Sequence, residues 1–189
     1  KNRLGRAFLE LFFKEMFVFK TLQTDPNFGN YRVQIDADGE QDKIVLLDFG
    51  SVVSYDDSFI VPVKQMINGA LHKDQPQLIK GAVALGIMQA DFPEQVLQDF
   101  SELCYLLVEP FRKNIPKDYL NAQGEYLWGE SLLPKRAAKH AAKSALSRYF
   151  VMPPKEFSLL SRKLLGVYGF IASLNGEFNA SNIAARYLD

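Results

Sequence analysis

Two short segments of the sequence carry side chains suited to binding a metal-bound phosphate. The segment QTDPNFGN, residues 23–30, contains Asp25 and ends at Asn30, and the segment LDFG, residues 47–50, contains Asp48. Magnesium prefers oxygen ligands, and proteins usually hold it with one or two carboxylates or amides together with phosphate oxygens and water. Asp25, Asn30 and Asp48 are therefore candidates for one metal and phosphate site.

A predicted β-hairpin connects the two segments. YRVQI (31–35) and KIVLL (43–47) have the composition of strands, and DADG (36–39) supplies turn residues between them. Because a hairpin brings its two ends together, we expect Asp48 to lie beside Asn30. The three candidate side chains would then face one space.

Each candidate also has a purely structural interpretation. Asp25 precedes Pro26 and can form an Asx turn, Asn30 can end that turn, and Asp48 can cap the turn that follows its strand. Taken singly, these residue types occur more often in turns than in sites. Their order and spacing together favour the functional interpretation.

Helical patterns dominate the rest of the chain, so the predicted fold class is mainly α. The first helix has a broad apolar face that includes Leu4, Phe8, Leu11, Phe12 and Met16. Helix-start signals, which are acidic caps and early prolines, occur at residues 56–57, 74–76 and 91–93. Cys104 lies on an apolar helical face, where a small core residue is expected rather than a nucleophile.

Two further features leave alternatives open. A predicted helix over residues 131–149 carries a row of basic side chains, which is either a solvated face or a contact for a membrane or phosphate: Lys135, Arg136, Lys139, His140, Lys143 and Arg148. Trp128 lies in an irregular stretch, 110–129, that is expected at the surface. Its side chain either packs on that surface or anchors a partner or a membrane.

Composition limits the number of domains and the kinds of partner that the chain can have. The chain has 189 residues with 48% hydrophobic content, enough for one core and one domain. The 22 basic and 22 acidic residues cancel, so no long-range field attracts nucleic acid, and no nucleic-acid partner is expected. No apolar stretch reaches the length of about 20 residues that spans a bilayer. The chain starts at Lys1 without methionine, and we expect it to be part of a longer protein.

The two segments resemble the catalytic loop, H-R-D-L-x-x-x-N, and the metal motif, D-F-G, of protein kinases. QTDPNFGN followed by KIVLLDFGSV is similar more specifically to the UbiB-type atypical kinases, also called AarF-domain kinases, over residues 23–54. The resemblance implies that residues 1–189 form the large, C-terminal lobe of a bilobal kinase fold with a short hairpin at its active site, without the small lobe. It implies magnesium and ATP as cofactors, with Asp25 as the catalytic base and with Asn30 and Asp48 binding the metal and nucleotide.

The same resemblance implies a role in quinone (ubiquinone) biosynthesis. The implied partners are ATP, a lipid or quinone-precursor substrate, and a peripheral membrane contact. The implied location is cytoplasmic or peripheral to the inner membrane, which is mitochondrial in a eukaryote. The alternative is a non-catalytic kinase-like module that binds a nucleotide or lipid, or serves as a scaffold.

Departures from ordinary kinases refine this expectation. Gln23 and Thr24 stand where those kinases have histidine and arginine, and the interval from Gly50 to the capping residue Asp56 leaves no room for an activation loop. A small-molecule kinase or an ATPase is therefore favoured over a protein kinase. Because the phosphate-binding lysine and nucleotide loop of a small lobe are not found before the first helix, residues 1–189 alone are expected to be inactive.

Overall fold

The computed structural model describes residues 1–36 and 43–188, and this part of the chain is mainly helical, as the sequence predicted. The helices and strands are α1 (Asn2–Phe17), β1 (Thr21–Gln23), β2 (Tyr31–Gln34), β3 (Lys43–Leu46), β4 (Val52–Ser54), α2 (Asp57–His72), α3 (Gln75–Ala84), α4 (Glu94–Leu107), α5 (Leu133–Ala145), α6 (Lys155–Ser173) and α7 (Ser181–Leu188). Short 3-10 turns occur at Phe28–Asn30, Glu109–Phe111 and Lys117–Tyr119.

The predicted hairpin is present as the antiparallel pair β2–β3, in which Tyr31 lies opposite Leu46. One further backbone bond continues the pairing, because the Leu47 N–H donates to the Asn30 carbonyl at 2.9 Å. Residues 37–39 of the predicted turn lie outside the described residues. A second two-stranded sheet, which the sequence did not predict, pairs β1 with β4 so that Leu22 lies opposite Val53.

Local capping explains where several helices begin. The Asp56 carboxylate accepts from the Phe59 N–H at 3.2 Å, and the Asp74 carboxylate accepts from the Gln77 N–H at 3.0 Å. These bonds satisfy N–H groups that have no partner inside a helix. Two of the predicted helix starts are thus confirmed in detail, while the N-cap position of α4 is Pro93.

Helix α1 lies at the centre of the core. Its buried side chains include Phe8, Leu9, Phe12, Phe13 and Met16, and the helix contacts both α6 and α7. Cys104 of α4 is buried, and burial raises the pKa of its thiol to about 12. The expectation that this cysteine is a core residue is confirmed.

Two expectations for the region after α4 need correction. Trp128 is a core residue, 1% exposed, whose Nε1 donates to the Phe178 carbonyl at 3.0 Å. The sequence does not indicate this burial, because the contacts of the irregular stretch come from distant segments and leave no periodic pattern. Arg136 of α5 is only partly exposed, and its guanidinium makes two 2.9 Å hydrogen bonds to the Glu109 carboxylate, whereas the other five basic side chains of the row are exposed. Among the described helices, none is both long and apolar enough to cross a membrane.

Candidate active site

The loop that follows β1 brings Asp25 and Asn30 into direct contact. The Asn30 Nδ2 donates to Asp25 Oδ2 at 2.8 Å. The loop between them is a tight turn, in which the Asn27 N–H donates to Asp25 Oδ1 at 3.3 Å and the Gly29 N–H donates to Asn27 Oδ1 at 2.9 Å. The structure therefore unites two of the three candidate residues. Because the amide nitrogen of Asn30 makes this bond, its amide oxygen is the atom that a metal would take.

The third candidate, Asp48, follows the hairpin directly. Its side chain is exposed, and its Oδ1 accepts from the Gly50 N–H at 2.7 Å. The preceding residue, Leu47, is the one whose N–H bonds to the Asn30 carbonyl. The hairpin thus places the backbone of Asp48 next to the end of the Asp25–Asn30 loop, as the sequence predicted.

The chemistry of the three side chains suits a hard divalent cation. Two carboxylates and one amide offer only oxygen ligands, which magnesium prefers, and magnesium sites usually leave positions for phosphate and water. Within residues 1–36 and 43–188, no group of three or more His, Cys, Asp and Glu side chains could hold a metal ion. The side chains of Asp25, Asn30 and Asp48 offer the type of ligand that would suit magnesium shared with phosphate oxygens and water.

The two residues before Asp25 fasten the loop to its surroundings. Thr24 is buried, its hydroxyl hydrogen-bonds to the Ser51 hydroxyl at 2.6 Å, and its N–H donates to the Ser51 carbonyl at 2.8 Å. Ser51 directly follows the D-F-G segment, so this contact ties that segment to the loop. Gln23 is buried as well, and its Oε1 accepts from the Tyr31 hydroxyl at 3.2 Å.

A lysine of α6 completes this arrangement. Lys163 is 2% exposed, and its Nζ donates to Gln23 Oε1 at 2.8 Å and to the Tyr31 hydroxyl at 2.7 Å. The same Nζ lies 3.5 Å from Oε2 of Glu15, a buried residue of α1. Sequence reasoning missed this cluster. The available signal was a charged residue in the middle of an apolar helical face, at Glu15 in α1 and at Lys163 in α6.

Burial governs the electrostatics of the cluster. It lowers the pKa of Lys163, and the neighbouring Glu15 carboxylate opposes that change. It also raises the pKa of Glu15, against the effect of the Lys163 ammonium. The pKa of Tyr31 rises to about 12, first through burial and then through the charges of Glu15 and Asp25. Tyr31 therefore keeps its proton at neutral pH and can donate to Gln23.

Helix α6 makes two more contacts with the loop. The Arg162 guanidinium lies 3.5 Å from Asp25 Oδ1, and the arginine side chain is exposed. Gly166 lies directly against Pro26, and a Cβ atom added to this glycine would come within 2.3 Å of the proline Cβ. The missing side chain allows the loop to rest on the helix.

A separate apolar cavity of about 610 Å³ lies between α1, α2, α4, α5 and α6. Its walls are almost entirely hydrophobic and include Phe13, Met16, Met66, Phe100, Cys104 and Leu164. None of Asp25, Asn30 or Asp48 lines it. The two features share helix α6, which turns Lys163 towards the loop and Leu164 towards the cavity.

Comparison with known families supports the resemblance found in the sequence. Residues 1–82 match the family model described as the ABC1 atypical kinase-like domain. This range contains Asp25, Asn30 and Asp48. The resemblance to the UbiB-type, or AarF-domain, atypical kinases is thereby confirmed.

Individual relatives extend the similarity over nearly the whole chain. The probable serine/threonine-protein kinase abkA of Dictyostelium discoideum is 29% identical over 183 residues, which cover 97% of this chain and 31% of the relative. The mitochondrial atypical kinase COQ8 of Schizosaccharomyces pombe is 26% identical over 188 residues, or 100% of this chain and 29% of the relative. The mitochondrial atypical kinase coq-8 of Caenorhabditis elegans is 27% identical over 184 residues, which cover 97% of this chain and 23% of the relative. The chain thus spans about a third or less of these relatives.

Proposed function

We propose that the protein containing this chain is an atypical kinase or ATPase of the UbiB type, which uses magnesium and ATP in a step linked to quinone biosynthesis. Residues 1–189 would be the large lobe of its kinase-like fold, with Asp25 as catalytic base and with Asn30 and Asp48 as metal ligands. The observation that carries the proposal is the 2.8 Å contact between Asn30 and Asp25 at the end of the hairpin that leads to Asp48. The family match over residues 1–82 supports it.

Phosphoryl transfer depends mainly on positioning and on stabilising charge, so few protein groups are needed. Bound magnesium would neutralise crowded phosphate oxygens, with Asn30 and Asp48 holding it. Asp25 would accept the proton of an attacking hydroxyl group or water molecule. Its two oxygens accept from the Asn30 Nδ2 and from the Asn27 N–H, and these two bonds fix the orientation of the carboxylate.

The segment after Asp48 favours a small acceptor. In the structure, residues 52–54 form β4 and pair with β1, and Asp56 caps α2 immediately afterwards. This leaves no extended segment there to serve as a platform for a peptide substrate. We therefore propose a lipid or quinone precursor as acceptor, or water in the case of an ATPase. We also propose a position peripheral to the inner membrane. The names of two of the relatives above include a mitochondrial location, which supports that compartment in a eukaryote.

The proposal is tested with the full-length protein, since the chain spans only 31% of its relative in Dictyostelium discoideum. Asp48→Asn is expected to weaken magnesium-dependent ATP binding by about tenfold or more, because it removes a charge that offsets the cation. ATP binding by calorimetry and ATP hydrolysis are measured with and without magnesium. Asp91→Asn, at an exposed position outside the site, is the matched control and should behave as wild type.

Equal magnesium-dependent affinity in the wild type and in Asp48→Asn would contradict the assigned role of Asp48. Absence of both ATP binding and turnover in the wild type would contradict the proposed function as a whole. We also expect residues 1–189 expressed alone to show no turnover, because the lysine that binds the phosphates would come from the small lobe.

The apolar cavity favours a second candidate function, a module that binds a lipid. Ligand pockets commonly have volumes of about 300–1,000 Å³ and apolar walls. The cavity of about 610 Å³ fits a ligand with one long acyl or isoprenoid chain. Such binding needs neither Asp25 nor Asp48.

A fluorescent fatty-acid probe tests this candidate in the full-length protein. Ala141→Trp places a large ring at a residue that lines the cavity and should weaken probe binding by about fivefold or more. Ala142→Trp, on the same helix but outside the lining, should leave binding unchanged. Equal binding by both variants would exclude the cavity as the site. Probe binding without any ATP turnover by the wild type would favour the module over the enzyme.

A further inference from the structure

We infer that Lys163 is a positioning residue that sets the relative placement of Asp25 and Asn30 by holding both ends of their loop. This inference rests on the proposed function, because it explains how the candidate base and metal ligand are kept in place.

The first argument is the position of the two groups that Lys163 contacts. Gln23 lies two residues before Asp25, and Tyr31 directly follows Asn30. The Lys163 Nζ donates to Gln23 Oε1 at 2.8 Å and to the Tyr31 hydroxyl at 2.7 Å. One ammonium group therefore bridges the residues on either side of the loop, and the Tyr31–Gln23 bond closes the triangle.

The second argument is the match between the ammonium group and its surroundings. Lysine carries three donor N–H bonds and no acceptor. The Lys163 Nζ donates to Gln23 and Tyr31, and it lies 3.5 Å from Glu15 Oε2, a buried oxygen for which the described residues supply no hydrogen bond. Because Glu15 belongs to α1, the cluster fixes the loop relative to two helices at once.

The third argument is energetic. A buried ion pair usually contributes little more to stability than well-packed apolar side chains would, since desolvation offsets the attraction. Stability alone thus gives no reason for burying Glu15 and Lys163 in an apolar core. A defined geometry for the loop does give one, because a displacement of about 1 Å at a catalytic group can slow a reaction on the order of a hundredfold.

The test compares variants of the full-length protein. Replacing Lys163 alone would leave a buried, uncompensated carboxylate, so the main variant is the double change Glu15→Gln with Lys163→Met. Its turnover is expected to fall on the order of a hundredfold while its melting temperature changes little. Lys155→Met, an exposed lysine of the same helix, is the matched control and should retain full turnover.

A spectroscopic measurement separates positioning from a merely structural role. In protein labelled with ¹⁵N at asparagine, the side-chain amide of Asn30 reports its 2.8 Å hydrogen bond to Asp25. The double variant should shift this signal, assigned through Asn30→Asp, and leave most other asparagine signals in place. Tyr31→Phe keeps the ion pair but removes the hydrogen bonds of the Tyr31 hydroxyl to Lys163 and Gln23, and it should shift the same signal to a smaller extent.

An unchanged Asn30 signal in both Glu15→Gln/Lys163→Met and Tyr31→Phe would overturn the inference. If the double variant fails to fold, Tyr31→Phe decides the question by the same signal. Because the signal is read without ATP turnover, an inactive wild type would contradict the proposed function and leave this test intact.

Discussion

The two halves of the candidate site are held very differently. Asp25 and Asn30 contact each other, and the residues around them are fastened by buried polar groups of β1, β2 and α6. Asp48 is exposed, and the contact found for its side chain is a local one to the Gly50 N–H. The fold therefore builds one half of the site in advance, whereas Asp48 is placed through its backbone neighbours, the hairpin and Ser51, and its side chain stays exposed.

Under the proposed function, this difference would give the two halves distinct roles. A rigid base and its neighbouring amide define where an attacking group must arrive, and rigidity at that point reduces the entropic cost of reaction. An exposed carboxylate can turn towards a metal that arrives with the nucleotide, because magnesium sites are completed by phosphate and water. The loop is the preformed part and Asp48 the adaptable part.

Among the substitutions considered for this contrast, Gly166→Ala is expected to loosen the Asp25–Asn30 loop the most. The new Cβ would lie 2.3 Å from the Pro26 Cβ, and overpacking of this kind costs about 1–3 kcal/mol. We expect amide hydrogen exchange over residues 23–31 to become about 5–150-fold faster, as the free energy of local opening falls by that amount. Residues 48–50 should change much less.

Gly169→Ala is the matched control, three positions along the same helix. A Cβ added there meets nothing within 4 Å, so only the helix propensity changes, by about 1 kcal/mol in the stabilising direction. If both alanine variants leave exchange in the loop unchanged, the contact between Pro26 and α6 does not hold the loop, and the contrast with Asp48 loses its basis.

Much of this site could be predicted because its signals are local. The hairpin follows from the alternation and composition of residues 31–35 and 43–47, and the caps at Asp56 and Asp74 follow from the preference of acidic side chains for free helix N–H groups. The interval between Asp25 and Asn30 is short enough for one turn to bring them together. No long-range contact was needed to expect that.

The buried supports of the site could not be predicted in the same way. Lys163 meets Gln23 and Glu15 only after α6 has folded against α1 and β1, and sequence separation conceals such a contact. Arg136 shows the same limit. In the sequence it belongs to a row of basic residues, yet the fold brings the Glu109 carboxylate from a distant turn to its guanidinium. Periodicity shows which face of a helix is polar but not which polar residue will find a buried partner.

The smallest expected effect tests whether exposed charge contributes to holding the loop. Arg162 and Lys163 are adjacent and carry the same charge, but Arg162 is exposed and its guanidinium lies 3.5 Å from the Asp25 carboxylate. Exposed ion pairs contribute about 0–1 kcal/mol, so Arg162→Gln should speed exchange over residues 23–31 by less than about fivefold. Even that change should fade as salt is raised from 10 mM to 0.5 M, since screening weakens exposed pairs.

Lys155→Gln, which removes a charge from the exposed start of α6, is the control for general effects of net charge. Exchange in the loop of Arg162→Gln that is as fast as in Gly166→Ala would mean that the exposed pair, rather than the buried contacts, orders the loop. A small and salt-sensitive change would instead confirm that the buried and the exposed residues of α6 act differently on the loop. Its buried residues would then fix the loop, and the arginine at its surface would only adjust the charge around Asp25.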